Sequence, residues 1–243
     1  MRTLRIILIL LAVAVITSFA FDADAGQGKG GKPAACAEGW FPATGQTTTY
    51  PADTQTGADV TVPDDGTVQA GTPLSYTDNG DGTITDNNTG LMWEKKDYDS
   101  SLHGVQDANR YPWSSYGAVT IWDWLAQINA EGGTGFAGYR DWRIPNIREL
   151  LSIVDYGAGG VHDNIVQPVI AAAFNTGCMA GCTVCSCTRP DWHWSSTEGP
   201  EMYSYTNAAL AVHFQTGQVI YASDNKSAWS VTVRAVRGGC VNK

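Results

Sequence analysis

The chain has 243 residues, with 24 acidic side chains against 15 basic ones and a formal charge of −9. That balance excludes general binding to nucleic acid or to an anionic membrane surface, both of which rest on Lys and Arg neutralising phosphate. The length suits one domain with a real core, and nine tryptophans with ten tyrosines point to an aromatic interior and some exposed rings.

Residues 1–25 read as a cleavable secretory leader. Arg2 and Arg5 precede an apolar run from Ile6 to Ile16, and Ala23-Asp24-Ala25 offers a small-residue cut before Gly26. The run is too short for a transmembrane anchor of about twenty residues, so no membrane insertion is expected. Cleavage near Ala25 predicts a secreted, periplasmic or cell-surface protein, and it removes two arginines and two aspartates, which leaves the charge unchanged. Residues 26–72 form a glycine- and lysine-rich flexible arm and an extended lead-in with few apolar anchors. The ordered domain is expected over residues 73–238, with 239–243 as a tail.

Thr83-Ile84-Thr85-Asp86 and Leu91-Met92-Trp93-Glu94 read as two strands joined by Asn87-Asn88-Thr89-Gly90, whose residues tolerate positive φ. Thr120 caps a helix through Ile121, Trp122, Trp124, Leu125 and Ile128, with Asp123 at its third position and Gly132-Gly133 closing it. Asn146 with Glu149 begins a second helix by a capping box. Leu150, Leu151 and Val154 form its buried stripe, and Gly157 is its stop. A short third helix is expected near Val169 to Phe174. Leu210 to Phe214 and Val219 to Tyr221 make a second hairpin, and Val231, Val233 and Ala235, alternating with Thr232 and Arg234, give a closing strand. Strands at both ends around two main helices predict an α+β fold with a mixed or antiparallel sheet and paired terminal strands.

Four motifs recur in a familiar order: Gly82 to Trp93; Asp141-Trp142-Arg143-Ile144-Pro145-Asn146 with Glu149-Leu150; Trp194-Ser195-Ser196-Thr197; and Val233-Arg234-Ala235-Val236-Arg237. Over residues 73–238 the chain resembles the bacterial family named after the C-terminal domain of the collagen-like adhesin Lcl. The resemblance implies a C-type-lectin-like domain, related in architecture to formylglycine-generating enzymes, with Trp93, Asp141, Trp142, Arg143, Trp194 and Arg234 as structural motif residues. It also implies an association with sulfated glycosaminoglycans, against which stand the acidic charge and the lack of collagen-like repeats. The family pattern often places a cysteine in the last strand, where this chain has Ala235, and Cys240 is its displaced counterpart.

Cys178, Cys182, Cys185 and Cys187 crowd into ten residues. Cys182-x-x-Cys185 has zinc-ligand spacing with His193 nearby, and the same pair suits a redox dithiol. Export and an even total of six cysteines favour disulfides. Cys36 with Cys240 is the preferred terminal staple, leaving two bridges of open connectivity inside the cluster. Asp78, Asp81 and Asp86 offer a calcium alternative, although the spacing from Asp78 does not fit a twelve-residue calcium loop, and Asx turns explain the same residues. Trp142 is expected in the core and Arg143 against an acid. Arg234 and Arg237, with Lys226, read as solvated strand-end charge. No nucleophile elbow accompanies Trp194-Ser195-Ser196-Thr197, and no catalytic residue is assigned.

The ligand-binding candidates are Tyr203, Tyr205, Asn207, Asp224, Asn225, Lys226 and Trp229, aromatics, amides and charges in stretches expected to be loops. In C-type-lectin-like folds the loops before the last strand commonly carry ligand contacts. The sequence therefore points to an exported recognition module for an extracellular glycan or protein, with no catalysis and no cofactor beyond the calcium alternative. A metal-dependent or redox enzyme built on Cys178 to Cys187 and a structural subunit of an extracellular assembly are the two alternatives.

Overall fold

The structure, a computed structural model, describes residues 41–48, 63–114, 117–162, 165–182, 185–199, 208–222 and 229–239. The predicted leader, the arm, Cys36, Cys240, Tyr203, Tyr205, Asn207, Asp224, Asn225 and Lys226 lie outside the described residues.

The first hairpin forms where the sequence places it. Strands β2 (Thr83–Asp86) and β3 (Leu91–Glu94) pair antiparallel with Ile84 opposite Trp93. Asp86 builds the turn: its carboxylate accepts from the N–H groups of Asn88 and Thr89 and from the Thr89 hydroxyl. Gly90 closes it at φ 68°, a left-handed conformation that side chains with a Cβ resist. Strand β1 (Tyr76–Asp78) adds to β2, and β9 (Val236–Gly238) adds to β3, giving the antiparallel order β1-β2-β3-β9. The end of the domain thus pairs with its beginning. A four-residue helix α1 (Asp65–Val68) precedes this sheet.

Both predicted helix caps are present, each as a capping box. In α2 (Ile121–Ala130) the Thr120 hydroxyl and the Asp123 carboxylate exchange bonds with each other's main chain, and Gly132 and Gly133 follow the helix at positive φ. In α3 (Ile147–Ser152) Asn146 and Glu149 do the same, but the helix ends at Ser152 instead of running to Gly157. The carbonyl of Ile153 is taken by the N–H of Ala171, so the chain leaves the helix to bond sideways. The same pairing limits the expected third helix to a 3-10 turn at Ala172–Phe174, because Val169 and Ala171 donate to Phe214 and Ile153 across the chain instead of along it.

A small hairpin, β4 (Gly160–His162) with β5 (Ile165–Gln167), precedes the second large sheet. That sheet has the antiparallel order β6 (Trp192–Glu198), β7 (Ala209–His213), β8 (Gln218–Ala222). The architecture is α+β, with antiparallel sheets and few helices. One core gathers Trp124, Ile128, Trp142 and Trp194 around α2, and another gathers Trp93, Leu150, Phe174 and Phe214 around α3.

The predicted closing strand departs from its alternating pattern. Residues 231–236 are all buried, Thr232 and Arg234 included, and the regular strand starts only at Val236. The segment runs between the two large sheets and is tied to both: Trp194 and Trp192 exchange main-chain bonds with Thr232, while Glu94 donates to Ala235. With protein on each side there is no solvent face for the polar positions to occupy.

Glu149 serves both its helix and the sheet, since its carboxylate caps Asn146 and grips Arg143 through two bonds of 2.6 Å. Glu149→Ala is expected to cost about 1–2 kcal/mol in urea unfolding. Glu149→Gln is expected to lose less, because its amide oxygen still accepts from Asn146.

Candidate functional site

Strand β3 ends on a carboxylate that has no access to water. Glu94 is 0% exposed, and its oxygens accept from Lys96 Nζ at 2.9 Å, His103 Nδ1 at 2.8 Å and the N–H of Ala235 at 2.9 Å. Burial alone pushes this carboxyl up, but Lys96 and His103 outweigh it and hold the group below the ordinary carboxylate range. His103 also reaches Glu131 through Nε2 at 3.0 Å. Both ring nitrogens face carboxylate acceptors, so both donate, and the ring is an imidazolium. Burial pulls the imidazole down, yet the bonds to Glu94 and Glu131 together with the charge of Glu94 leave it raised above 6.5.

Arg234 completes the network and corrects the reading of a solvated strand-end charge. Its side chain is 1% exposed, donates to the carbonyls of Glu94 and Cys187 at 2.5 and 2.7 Å, and lies over the Phe174 ring. Burial pushes the guanidinium down to about 10, which still leaves it charged at neutral pH. Lys96 sits over the Trp124 ring. Arg237 is bound to Asp141 by 2.7 and 3.2 Å contacts and covers Tyr139, so Arg234 and Arg237 form no basic patch.

Above His103 the surface opens into a cleft of about 250 Å³ lined by Asp78, Lys95, Asp97, His103, Phe136 and Cys185. Lys95 bridges to Asp78 at 2.6 Å, and Phe136 stacks on His103 at 4.2 Å. Glu94, Lys96, His103 and Glu131 escaped sequence reasoning. Their one local signal is a charged pair, Glu94 and Lys96, that flanks Lys95 at the end of an apolar strand.

The cysteine cluster forms two nested bridges, Cys178–Cys187 and Cys182–Cys185, and no described cysteine is free. In this bridged form its sulfurs have no thiolate to offer a metal. The calcium candidates do not converge. Asp78 stands opposite Ile84 and Asp86 opposite Tyr76 on the β1–β2 ladder, Asp78 holds Lys95 and the N–H of Gly80, and Asp81 accepts from Thr83. These are the Asx turns the sequence offers as the plainer explanation.

The Asp141-Trp142-Arg143 motif is architectural in its geometry. Trp142 is buried and donates to the Phe136 carbonyl, and Arg143 pairs with Glu149. Trp93 and Trp194 are buried in separate cores. The hydroxyls after Trp194 bond to the main chain: Ser195 donates to Leu210 and Ser196 to Pro145, while Thr197 accepts from Ile147. His193 packs on Phe214, and burial pushes its imidazole well below the usual range. Nδ1 carries its proton, because the neighbour is the Asp191 carbonyl at 3.1 Å.

Of the predicted ligand residues, Trp229 is described and is 39% exposed. Its neighbour Ser230 accepts from Arg110, which also pairs with Asp191, and Thr232 bridges His193 in parallel, so Trp229 lies toward the Trp192 end of β6. At the opposite end Glu198, Ala209 and Ala222 align across β6, β7 and β8. Gly199 donates to Ala208 at 2.8 Å there, joining the two ends of one candidate loop. Tyr221 is 47% exposed at the same end. Trp113 is pinned to Ser195 through its indole N–H and meets the 40% exposed Trp122 edge-on at 5.0 Å.

Glu94→Gln is expected to destabilise the fold by about 3–5 kcal/mol in chemical unfolding, since it strands Lys96 without its counter-charge and leaves His103 with Glu131 alone. The His103 contribution has a definite pH sign. Its folded pKa lies above the unfolded value of 6.5, so its stabilisation is full below 6.5 and disappears as pH rises through the folded value. The stability difference between wild type and His103→Gln should therefore be largest below 6.5 and shrink as pH rises through the raised folded value. A pH-independent difference in paired urea titrations would remove the imidazolium bridge from the account.

No curated protein and no solved structure matches the chain. The sequence model of the Lcl C-terminal domain matches residues 82–237. That span begins at the β2 hairpin, takes in Glu94, Trp142, the cysteine bridges and Arg234, and ends at Arg237 on β9, so the buried network, the β2–β3 hairpin and the second large sheet fall inside it, while β1 precedes it. The chain belongs to the Lcl C-terminal domain family.

Proposed function

We propose that this protein is an exported recognition module of C-type-lectin-like architecture that holds a glycan or a protein surface without transforming it. The observation that carries the reading is a set of large rings left exposed on the domain: Trp122, which meets Trp113 edge-on, with Tyr221 on β8 and Trp229 ahead of the buried segment 231–236. Indole and phenol rings offer wide apolar area at little conformational cost, together with polar edges, which suits both sugar faces and protein epitopes. Tyr203, Tyr205, Asn207, Asp224, Asn225 and Lys226 are the further candidates that the sequence adds to these rings.

Membership of an adhesin-named family supports an extracellular ligand, and the two disulfides fit an oxidising compartment. No described helix is long and apolar enough to cross a membrane. The net charge of −9 disfavours sulfated glycosaminoglycans and directs the expectation to neutral glycans or to a basic protein face. Calcium has no part in the proposal, because Asp78, Asp81 and Asp86 are engaged in separate turns.

A glycan array probed with the mature protein, with and without a calcium chelator, tests this reading. Binding is expected to survive chelation and to fall about tenfold or more in Trp122→Ala and Trp229→Ala, about the cost of losing an aromatic anchor at an interface. Both variants should keep the wild-type melting temperature. Undiminished binding by both variants sinks the assignment of the surface, and a silent array moves the ligand to the protein class.

A further inference from the structure

The nested bridges bring four sulfurs into one corner of the domain, and their spacing fits a second chemical form. Cys187 Sγ lies 3.8 Å from Cys182 Sγ and 3.7 Å from Cys185 Sγ, although it is bonded to neither. The sulfurs of Cys182, Cys185 and Cys187 all fall within 4.8 Å of one another, and Cys178 is the bonded partner of Cys187. Zinc–sulfur bonds of about 2.3 Å in a tetrahedron put neighbouring sulfurs about 3.8 Å apart. Cys187 already has that separation from two of the other three.

We propose that the reduced cluster is a zinc site with Cys178, Cys182, Cys185 and Cys187 as its four thiolate ligands. Each bridge takes two electrons from a dithiol reductant, which leaves as its own disulfide, and the bridge becomes two thiols. Zinc then displaces one proton from each of the four thiols. The loop exchanges two sulfur–sulfur bonds for four sulfur–metal bonds and is closed in either form.

Half of the ligand set is held by contacts that do not involve the bridges. Ser186 pairs with Thr176, the N–H of Cys187 donates to the Lys96 carbonyl at 2.8 Å, and Thr188 donates to the Phe174 carbonyl at 2.8 Å. Cys185 and Cys187 flank Ser186 on this tethered segment, so reduction leaves their main chain in place. Cys178 and Cys182 lie on the opposite, partly exposed arm, where reductant and metal can enter. A tetrathiolate zinc carries two negative charges, and the buried surroundings can accept them. Arg234 is bonded to Cys187 O and Thr188 Oγ1, its Nε has no hydrogen-bond partner among the described residues, and Lys96 lies behind it.

Cobalt is the spectroscopic probe, in a Cys36→Ser/Cys240→Ser background so that only the four clustered cysteines supply thiols. After phosphine reduction under argon, cobalt(II) should produce a thiolate-to-metal charge-transfer band that saturates at one ion per chain and is erased by zinc. The melting temperature of the reduced protein should rise with either ion, and Cys185→Ser should weaken cobalt binding at least tenfold. The bridged protein should give no band. Absence of the band at saturating cobalt, whether circular dichroism finds the reduced chain folded or not, overturns the proposal. So does a band of equal intensity in a Cys185→Ser/Cys187→Ser variant.

Discussion

The domain is organised around one buried carboxylate. Glu94 receives Lys96, His103 and the N–H of Ala235 on its side chain, while its own main chain donates to Ala235 and accepts from Arg234. These contacts join the first hairpin, the loop that leads to α2, the segment between the sheets and, through Arg234, the cysteine loop. A buried charge is costly, and its attraction to partners repays that cost only when the geometry satisfies nearly every donor. Here both oxygens are used, which makes the network intolerant of rearrangement. The same contacts explain why β9 starts late. Ala235 commits its N–H and its carbonyl to Glu94, and only beyond it does the chain lie beside Trp93 and Met92 in strand register.

The cysteine loop depends on this network because it has almost no core of its own. Its apolar cluster consists of Val105, Cys185 and Cys187, with Cys178 and Cys182 packed against them. Sulfur supplies both the packing and the covalent closure. Bridging a loop of this length restricts the unfolded chain by roughly 3 kcal/mol in the chain-entropy account. Arg234 supplies the remaining anchorage by holding the Cys187 carbonyl and the Thr188 hydroxyl. A buried arginine is suited to this task, since its planar fork reaches carbonyls on two separate segments at once.

What the sequence reveals here is set by the distance over which each interaction acts. The two capping boxes and the Asp86 turn were legible because donor and acceptor lie within four residues of each other. The cysteine bridges were legible as a class through export and number, but their nesting was not, since spacing alone permits every pairing. Glu94, Lys96 and His103 were illegible as a site. The bond from Arg234 to Glu94 spans 140 residues of sequence, and strand alternation assigns Glu94 and Arg234 to solvent. That inference assumes a strand with one wet face. The segment around Arg234 has none, and a period of two carries no information about a strip enclosed on both sides.

The two ends of β6 are held in different ways. At the Trp192 end, Asp191 pairs with Arg110 and Arg189, and Arg189 reaches Asp107, so this end is bound to the cysteine loop and to the network behind it. At the Glu198 end, β6 pairs with Ala209 of β7 and Ala209 with Ala222 of β8, next to the exposed Tyr221. Under the proposed recognition role, exposed rings such as Trp122 and Tyr221 can vary while Glu94 and Arg234 keep one fixed interior, because different residues hold the fold and form that surface.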